Sequence, residues 1–146
     1  MGVQLKVREI RLRGRSAVKG VAEGEALVSP DMICFLSDID NKTGIISEPT
    51  FKLRGQSVVG KILVFPMGRG STGDPYGIYI LGRQGKLPKG IVNVEANPTT
   101  VSGAVISKIP MVYHLDKNPL DVIETGDYVT VDGDQGVVIV TKKQCS

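Results

Sequence analysis

The sequence has no tryptophan, one histidine and two cysteines among 146 residues, and each scarcity closes off a class of chemistry. A zinc or iron–sulfur centre draws on about three or four ligands at set spacings. Cys34 and Cys145 lie far apart with no CxxC pair, and His114 has no second histidine to join, so the chain is expected to bind no metal or cofactor alone. Cys34 sits within the apolar run Met32-Ile33-Cys34-Phe35-Leu36 and reads as a buried small hydrophobe. Cys145, next to last, reads as frayed. Aromatics make up only 5% of the residues, too few for the stacking platforms that single-stranded nucleic acid requires. The 18 basic and 15 acidic residues leave a net charge of +3 with no polybasic block, so nucleic acid is not an expected partner. No run reaches the ~18 apolar residues of a membrane span. The stretch MGVQLKVREIRLRGRS alternates charge and hydrophobe and lacks the apolar core of a signal peptide. The expectation is a soluble, cytoplasmic protein with one domain over residues 1–146.

What is present is mostly strand signal. Val3, Leu5 and Val7 alternate with polar residues, Ile10 and Leu12 resume the alternation, and Gly14 ends it. Ala22, Ala26 and Val28 share one face of a second segment punctuated by Gly20 and Gly24. Asp38 to Thr43 is turn-like, with a short extended piece from Gly44 to Ser47. Lys61-Ile62-Leu63-Val64-Phe65 is continuous and β-branched or aromatic between Gly60 and Pro66, the pattern of a strand buried on both faces. Apolar spacing then predicts a helix from Tyr76 to Arg83, and Gly90–Val94 a second buried strand. A short helix opens at Pro98 and runs to about Ser107, followed by a strand at Met111-Val112-Tyr113. Asn118-Pro119 is an N-cap with proline at the first helical position, and that helix is expected over Leu120–Thr125. Tyr128–Val131 and Gly136–Thr141 flank Asp132-Gly133-Asp134-Gln135 as a hairpin. Alternation of strand and helix in the middle implies an α/β fold with central parallel strands, and the ends read as antiparallel and barrel-like.

The glycine-rich loop Gly68–Pro75 is the leading site candidate. Ligands of open α/β sheets sit beyond the carboxyl ends of the strands. Glycines let the backbone approach an anion, and amides at a helix start complement its charge. Arg69 adds a cation, and Ser71 and Thr72 add hydroxyls. The loop lacks the lysine of a nucleotide P-loop, and GRGST is not the GxSxG elbow of a hydrolase. As a bare pattern it is equally a tight turn. Arg54-Gly55-Gln56-Ser57 suits a carboxylate or phosphate, or is a solvated turn. Asn93-Val94-Glu95-Ala96-Asn97 faces the same edge as Ser71, or is a helix cap and turn. His114 reads foremost as structural, and Glu23, Glu25, Asp38 and Asp40 as solvated surface.

An ordered series of motifs goes further. It runs Gly24-Glu25-Ala26-Leu27-Val28-Ser29, Asp40…Thr43-Gly44, Leu53-Arg54-Gly55-Gln56-Ser57 and Gly60-Lys61-Ile62-Leu63-Val64-Phe65-Pro66. It continues through Gly68-Arg69-Gly70-Ser71-Thr72, Ile91-Val92-Asn93, Glu95-Ala96, Thr125-Gly126-Asp127 and Gly136-Val137-Val138. In this order the chain resembles the aconitase X swivel-domain family, in its free-standing small-subunit form. The resemblance implies a swivelling β/β/α domain and a heterodimer with a large catalytic subunit carrying an iron–sulfur cluster on its own cysteines. It implies a hydro-lyase that dehydrates a small phosphorylated hydroxy acid, (R)-5-phosphomevalonate, to trans-anhydromevalonate 5-phosphate in the archaeal isoprenoid pathway. Ser71 matches the family's proton-abstracting serine; Arg54, Ser57, Arg69, Gly70, Thr72, Asn93 and Glu95 become substrate-binding candidates. Many relatives carry valine, glycine and serine where this chain has Gly73-Asp74-Pro75. Two alternatives stay open: another aconitase X dehydration, such as that of a hydroxyproline, and a non-catalytic anion-binding module.

Overall fold

A computed structural model describes the backbone of residues 5–69 and 73–145 and the side chains of residues 7–69 and 73–143. Its strands are β1 (Leu5–Arg13), β2 (Arg15–Val18), β3 (Val21–Val28), β4 (Ile62–Phe65), β5 (Gly90–Asn93), β6 (Met111–Tyr113), β7 (Tyr128–Asp132) and β8 (Val137–Cys145). Its helices are α1 (Gly73–Arg83), α2 (Pro98–Ile106) and α3 (Pro119–Val122).

The expected buried strands form the middle of the sheet. All four residues of β4 and of β5 are buried, and alternate side chains serve two cores. Leu63, Phe65, Ile91 and Met111 face a core closed by Ile78 and Leu81 of α1 and Ala104 of α2. Ile62, Val64, Val92 and Val112 face a second core closed by Val129 and Val131 of β7, Val138 and Val140 of β8, and Leu12 of β1. Helices thus cover one face of the parallel strands and antiparallel strands cover the other, the β/β/α layering expected.

The strand order is β1-β8-β7-β3-β4-β5-β6-β2. β3 joins the two regimes: Val21–Glu25 pair antiparallel with β7, and Ala26–Val28 pair parallel with β4. β4, β5 and β6 follow in parallel, and β2 closes the far edge antiparallel to β6. β1 and β2 stand at opposite ends of this order, yet only Gly14 separates them in the chain. The sheet therefore curls toward closure at Gly14. A Cβ there would meet Tyr113 O at 2.5 Å and Leu115 Cδ2 at 2.8 Å, so the corner admits only glycine.

Two local expectations are corrected. The helix read from Tyr76 begins at Gly73, because Pro75 lies in the first turn, whose N–H groups need no intrahelical acceptor. The helix read over Leu120–Thr125 is Pro119–Val122. Ile123 leaves it with φ −96° and ψ 130° to bury its side chain in the second core, and the Thr125 hydroxyl accepts the Val28 N–H at 3.0 Å. The apolar run Met32–Leu36 forms no regular element and makes one parallel bridge, Ile33 to Gly68. It belongs to an excursion between β3 and β4 that sends Ile33, Phe35, Ile39, Ile46, Leu53 and Val58 into the helix-side core.

Candidate functional site

The parallel strands β3, β4, β5 and β6 end at one pole, and the loop after β4 lies at its centre. That loop is laced to its neighbours on both sides. On the β5 side, Asn93 Nδ2 donates to Phe65 O at 3.0 Å, and the Val94 and Glu95 amides donate to Pro66 O at 3.0 and 3.2 Å. Asn97 Nδ2 donates to Gly68 O at 3.0 Å. On the other side, the Arg69 amide donates to Ile33 O at 2.9 Å and the Ile33 amide to Met67 O at 3.4 Å. A Cβ on Gly68 would overlap the Thr100 hydroxyl and approach Asp74 Oδ2 at 2.5 Å; close approach is why glycine stands there.

Asn93 is completely buried. Its amide is oriented by two carbonyls, Phe65 O at 3.0 Å and Val92 O at 3.3 Å. Its Oδ1 is buried with no hydrogen-bond partner among the described residues. A buried acceptor left unmade costs about 1–3 kcal/mol, and such groups in native proteins have a reason.

Arg69 is half-exposed at 51% of its side-chain surface, and its Nη2 donates to both oxygens of Asp38 at 2.7 and 2.8 Å. The Asp38 carboxylate holds the Arg69 guanidinium above its usual pKa, through hydrogen bonding first and charge second. The cation expected to face an anion is therefore offset by a neighbour. Asp38, read as solvated surface, is completely buried; it accepts the Cys34 N–H at 2.7 Å. Cys34 is only half-buried, a second correction; its thiol stands at the start of α1, where a Cβ on Gly73 would lie 3.3 Å from Sγ. Asp74, also completely buried, accepts the Phe35 N–H at 2.8 Å and the Thr100 hydroxyl. Burial is the leading cause that raises its pKa, opposed by those two hydrogen bonds.

Gly70, Ser71 and Thr72 lie outside the described residues. Glu95 is exposed, with Oε1 3.2 Å from His114 Nδ1, and the His114 amide donates to Val94 O. The structure thus brings Arg69, Asn93, Glu95 and His114 to one pole. Arg54 and Ser57 belong to the excursion. Arg54 is exposed on a turn closed by its amide to Phe51 O at 3.2 Å, and the Ser57 hydroxyl accepts the Val59 N–H at 3.2 Å. Their turn reaches the loop indirectly: the Ile46 amide donates to Gln56 O, the Ser47 amide to Asp38 O, and Asp38 binds Arg69. A cavity of about 530 Å³ beside this turn is lined by Lys52 and Gln56 on one wall and Leu120, Glu124 and Thr125 on another. Sequence reasoning passed over Asp38, Asp74 and Thr100. An Asp in the first turn of a helix and an Asp in a turn both have ordinary surface explanations, and only the packing of the excursion reveals otherwise.

The aconitase X swivel-domain model matches residues 11–140. The chain belongs to this family. It is 44% identical to the phosphomevalonate dehydratase small subunit of Methanosarcina acetivorans, over 94% of this chain and 95% of that one. It is 46% identical to the small subunit of the same name from Thermococcus kodakarensis, over 88% and 95% of the two chains. The crystal structure of aconitase X (holo-form) from Thermococcus kodakaraensis superposes with a TM-score of 0.85 at 45% identity, covering 90% of this chain and 98% of that chain. No helix among the described residues is long and apolar enough to cross a membrane.

Proposed function

We propose that this chain is the small subunit of a hydro-lyase that removes water from (R)-5-phosphomevalonate, and that it works only when paired with a large aconitase X subunit. The similarity to small subunits of that name, across nearly the full length of both chains, carries the substrate assignment. The unmade acceptor of Asn93 at the loop-bearing pole supports the site.

Among the described residues no group of three or more His, Cys, Asp or Glu could hold a metal ion. An iron–sulfur cluster does not fit this donor set. In this reading it belongs to the large subunit, and no step of this chain's chemistry runs through it.

What this chain contributes is a base and its setting. The proton removed lies on the carbon next to the substrate carboxylate. Ser71 takes it, which requires its hydroxyl to be ionised in the reacting state, and the C–H electron pair becomes the carbon–carbon double bond as the hydroxyl on the neighbouring carbon leaves and is released, protonated, as water. Backbone amides of the glycine loop and the start of α1, which opens at Gly73, stabilise that negative oxygen. Arg69, its charge offset by Asp38, serves more to hold the loop than to raise the local potential. Asn93 Oδ1 accepts a hydrogen bond from a substrate hydroxyl. Arg54, which forms no ion pair with a described residue, takes the phosphate or the carboxylate. Ser57, Thr72 and Glu95 donate to or accept from the remaining oxygens, and Gly70 admits the substrate to the backbone.

The test is reconstitution with the large subunit from the same organism and detection of anhydromevalonate phosphate by mass spectrometry. Turnover by the pair and none by either chain alone is expected, with Ser71→Ala lowering kcat by at least about 1,000-fold. Turnover of a hydroxyproline instead would overturn the substrate. Tight binding of phosphomevalonate by the lone chain, with no turnover by the pair, would replace the enzyme reading with that of an anion-binding module.

A further inference from the structure

The described residues on either flank of Gly70–Thr72 are each held by a buried carboxylate, and both carboxylates engage the same short segment, Ile33–Asp38. Ahead of that stretch, Asp38 takes the Arg69 guanidinium at 2.7 and 2.8 Å and its own segment's Cys34 N–H at 2.7 Å. After it, Asp74 takes the Phe35 N–H at 2.8 Å and the Thr100 hydroxyl. The contact is tight on the far side. A Cβ on Gly77 would stand 2.5 Å from the Leu36 amide nitrogen and the Phe35 carbonyl carbon, so the first turns of α1 lie directly on this segment. Burying carboxylates is unfavourable unless each is paired and hydrogen-bonded. Two of them converge here from opposite ends of one loop, and none of the described residues elsewhere repeats the arrangement.

On the reading above, in which Ser71 abstracts the proton, we infer that Asp38 and Asp74 are positioning residues: they pin the two ends of the loop to Ile33–Asp38 and so set where its hydroxyl stands. Neither touches substrate in this scheme. Asp38 acts through Arg69, and Asp74 through the first turn of α1 and through Thr100. Reactive geometry tolerates little slack, with displacement of about 1 Å lowering rates by about 100-fold.

Two variants test this in the reconstituted two-subunit enzyme. Asp38→Asn keeps an acceptor for the Cys34 N–H and removes the charge that holds Arg69. Thr100→Val removes the hydroxyl that Asp74 accepts, whereas Thr100→Ser keeps it. The expected result is a kcat about 10- to 100-fold lower in Asp38→Asn and Thr100→Val, with KM within about threefold and Thr100→Ser within about twofold of the parent. Hydrogen exchange on the isolated chain provides a readout apart from activity. Amides of residues 33–38 and 73–77 should exchange at least about tenfold faster in the two disabling variants, with β7 and β8 unchanged. An unchanged kcat in both, a Thr100→Ser variant as impaired as Thr100→Val, or faster exchange spread equally over β7 and β8 would each overturn the clamp. If Asp38→Asn does not fold, the Thr100 pair decides alone. If Ser71→Ala retains turnover, the base assignment falls while the exchange data still judge the clamp.

Discussion

In the parallel half of the molecule, β4 and β5 are buried at every position; in the antiparallel half, β3 alternates over its first residues and Val7 and Val21 stand 64% and 58% exposed. Among the described residues the fully buried polar side chains divide the same way. Ser29, Asp38, Asp74, Asn93 and Thr100 all lie at or against the C-terminal ends of the parallel strands. The antiparallel half has its closest counterpart in Lys142 and Asp127, 2.8 Å apart and still 19% and 15% exposed. Buried polar groups are tolerated only where a network satisfies them. Their concentration at one pole marks where the fold accepts instability in return for shape, while the antiparallel strands serve as a cover for the second core.

Substitutions that strike the two halves differently test this contrast. The largest effect is expected from Phe65→Ala, which empties a completely buried position packed edge-on against Phe35 at 6.1 Å. It should lower unfolding free energy by about 3–5 kcal/mol, while Val7→Ala on the exposed face stays within about 0.5 kcal/mol; urea titration of both measures the difference, and equal losses would erase the contrast. Next is Gly68→Ala. Its new methyl meets Thr100 and Asp74, so a loss of about 1–3 kcal/mol is expected, along with turnover of the reconstituted enzyme.

A finer comparison uses two helix caps of the same chemistry. Asn97 Oδ1 accepts the Thr99 N–H at 3.1 Å and Asn118 Oδ1 the Leu120 N–H at 3.0 Å. Either change to alanine should remove about 1 kcal/mol. Only Asn97→Ala should also lower kcat, since Asn97 alone of the two holds Gly68 O. The smallest effect is a slope. Burial raises the Asp74 pKa, so the folded chain holds that proton more tightly than the unfolded one. Its contribution to stability is complete below the ordinary carboxylate range and is lost as pH climbs through the raised value. Chemical denaturation of the parent and of Asp74→Asn, followed upward from acid pH, should show this loss as the difference between the two profiles; parallel profiles would remove it.

Much of the fold was legible in local pattern. The uninterrupted run ending at Phe65 declared a strand covered on both faces, Asn118-Pro119 declared a helix start, and the Asp-Gly turn declared a hairpin. The elements that misled were those with more than one local explanation. The apolar run Met32–Leu36 reads as burying Cys34, but Cys34 is only half-buried and the run spends its amides on the Asp38 and Asp74 carboxylates and on Met67 O. Ile123 is a good helix continuation but has a core to fill. Of the candidate site, the glycine loop, Asn93 and Glu95 were legible because they stand at or after strand ends; the burial of Asp38, Asp74 and Thr100 was not.

The sequence by itself determined the order of the elements and the two-sided burial of the central strands, because hydrophobic period and turn chemistry act over a few residues at a time; the family showed through the resemblance of an ordered series of motifs. Only the tertiary structure decided which polar groups lie in the dark and against what. That Arg69 answers to Asp38, that Asp74 answers to Phe35 and Thr100, and that Asn93 keeps an acceptor in reserve all depend on contacts between segments 26 to 39 residues apart. Burial and hydrogen-bond satisfaction are properties of the packed chain, and no window of sequence contains them.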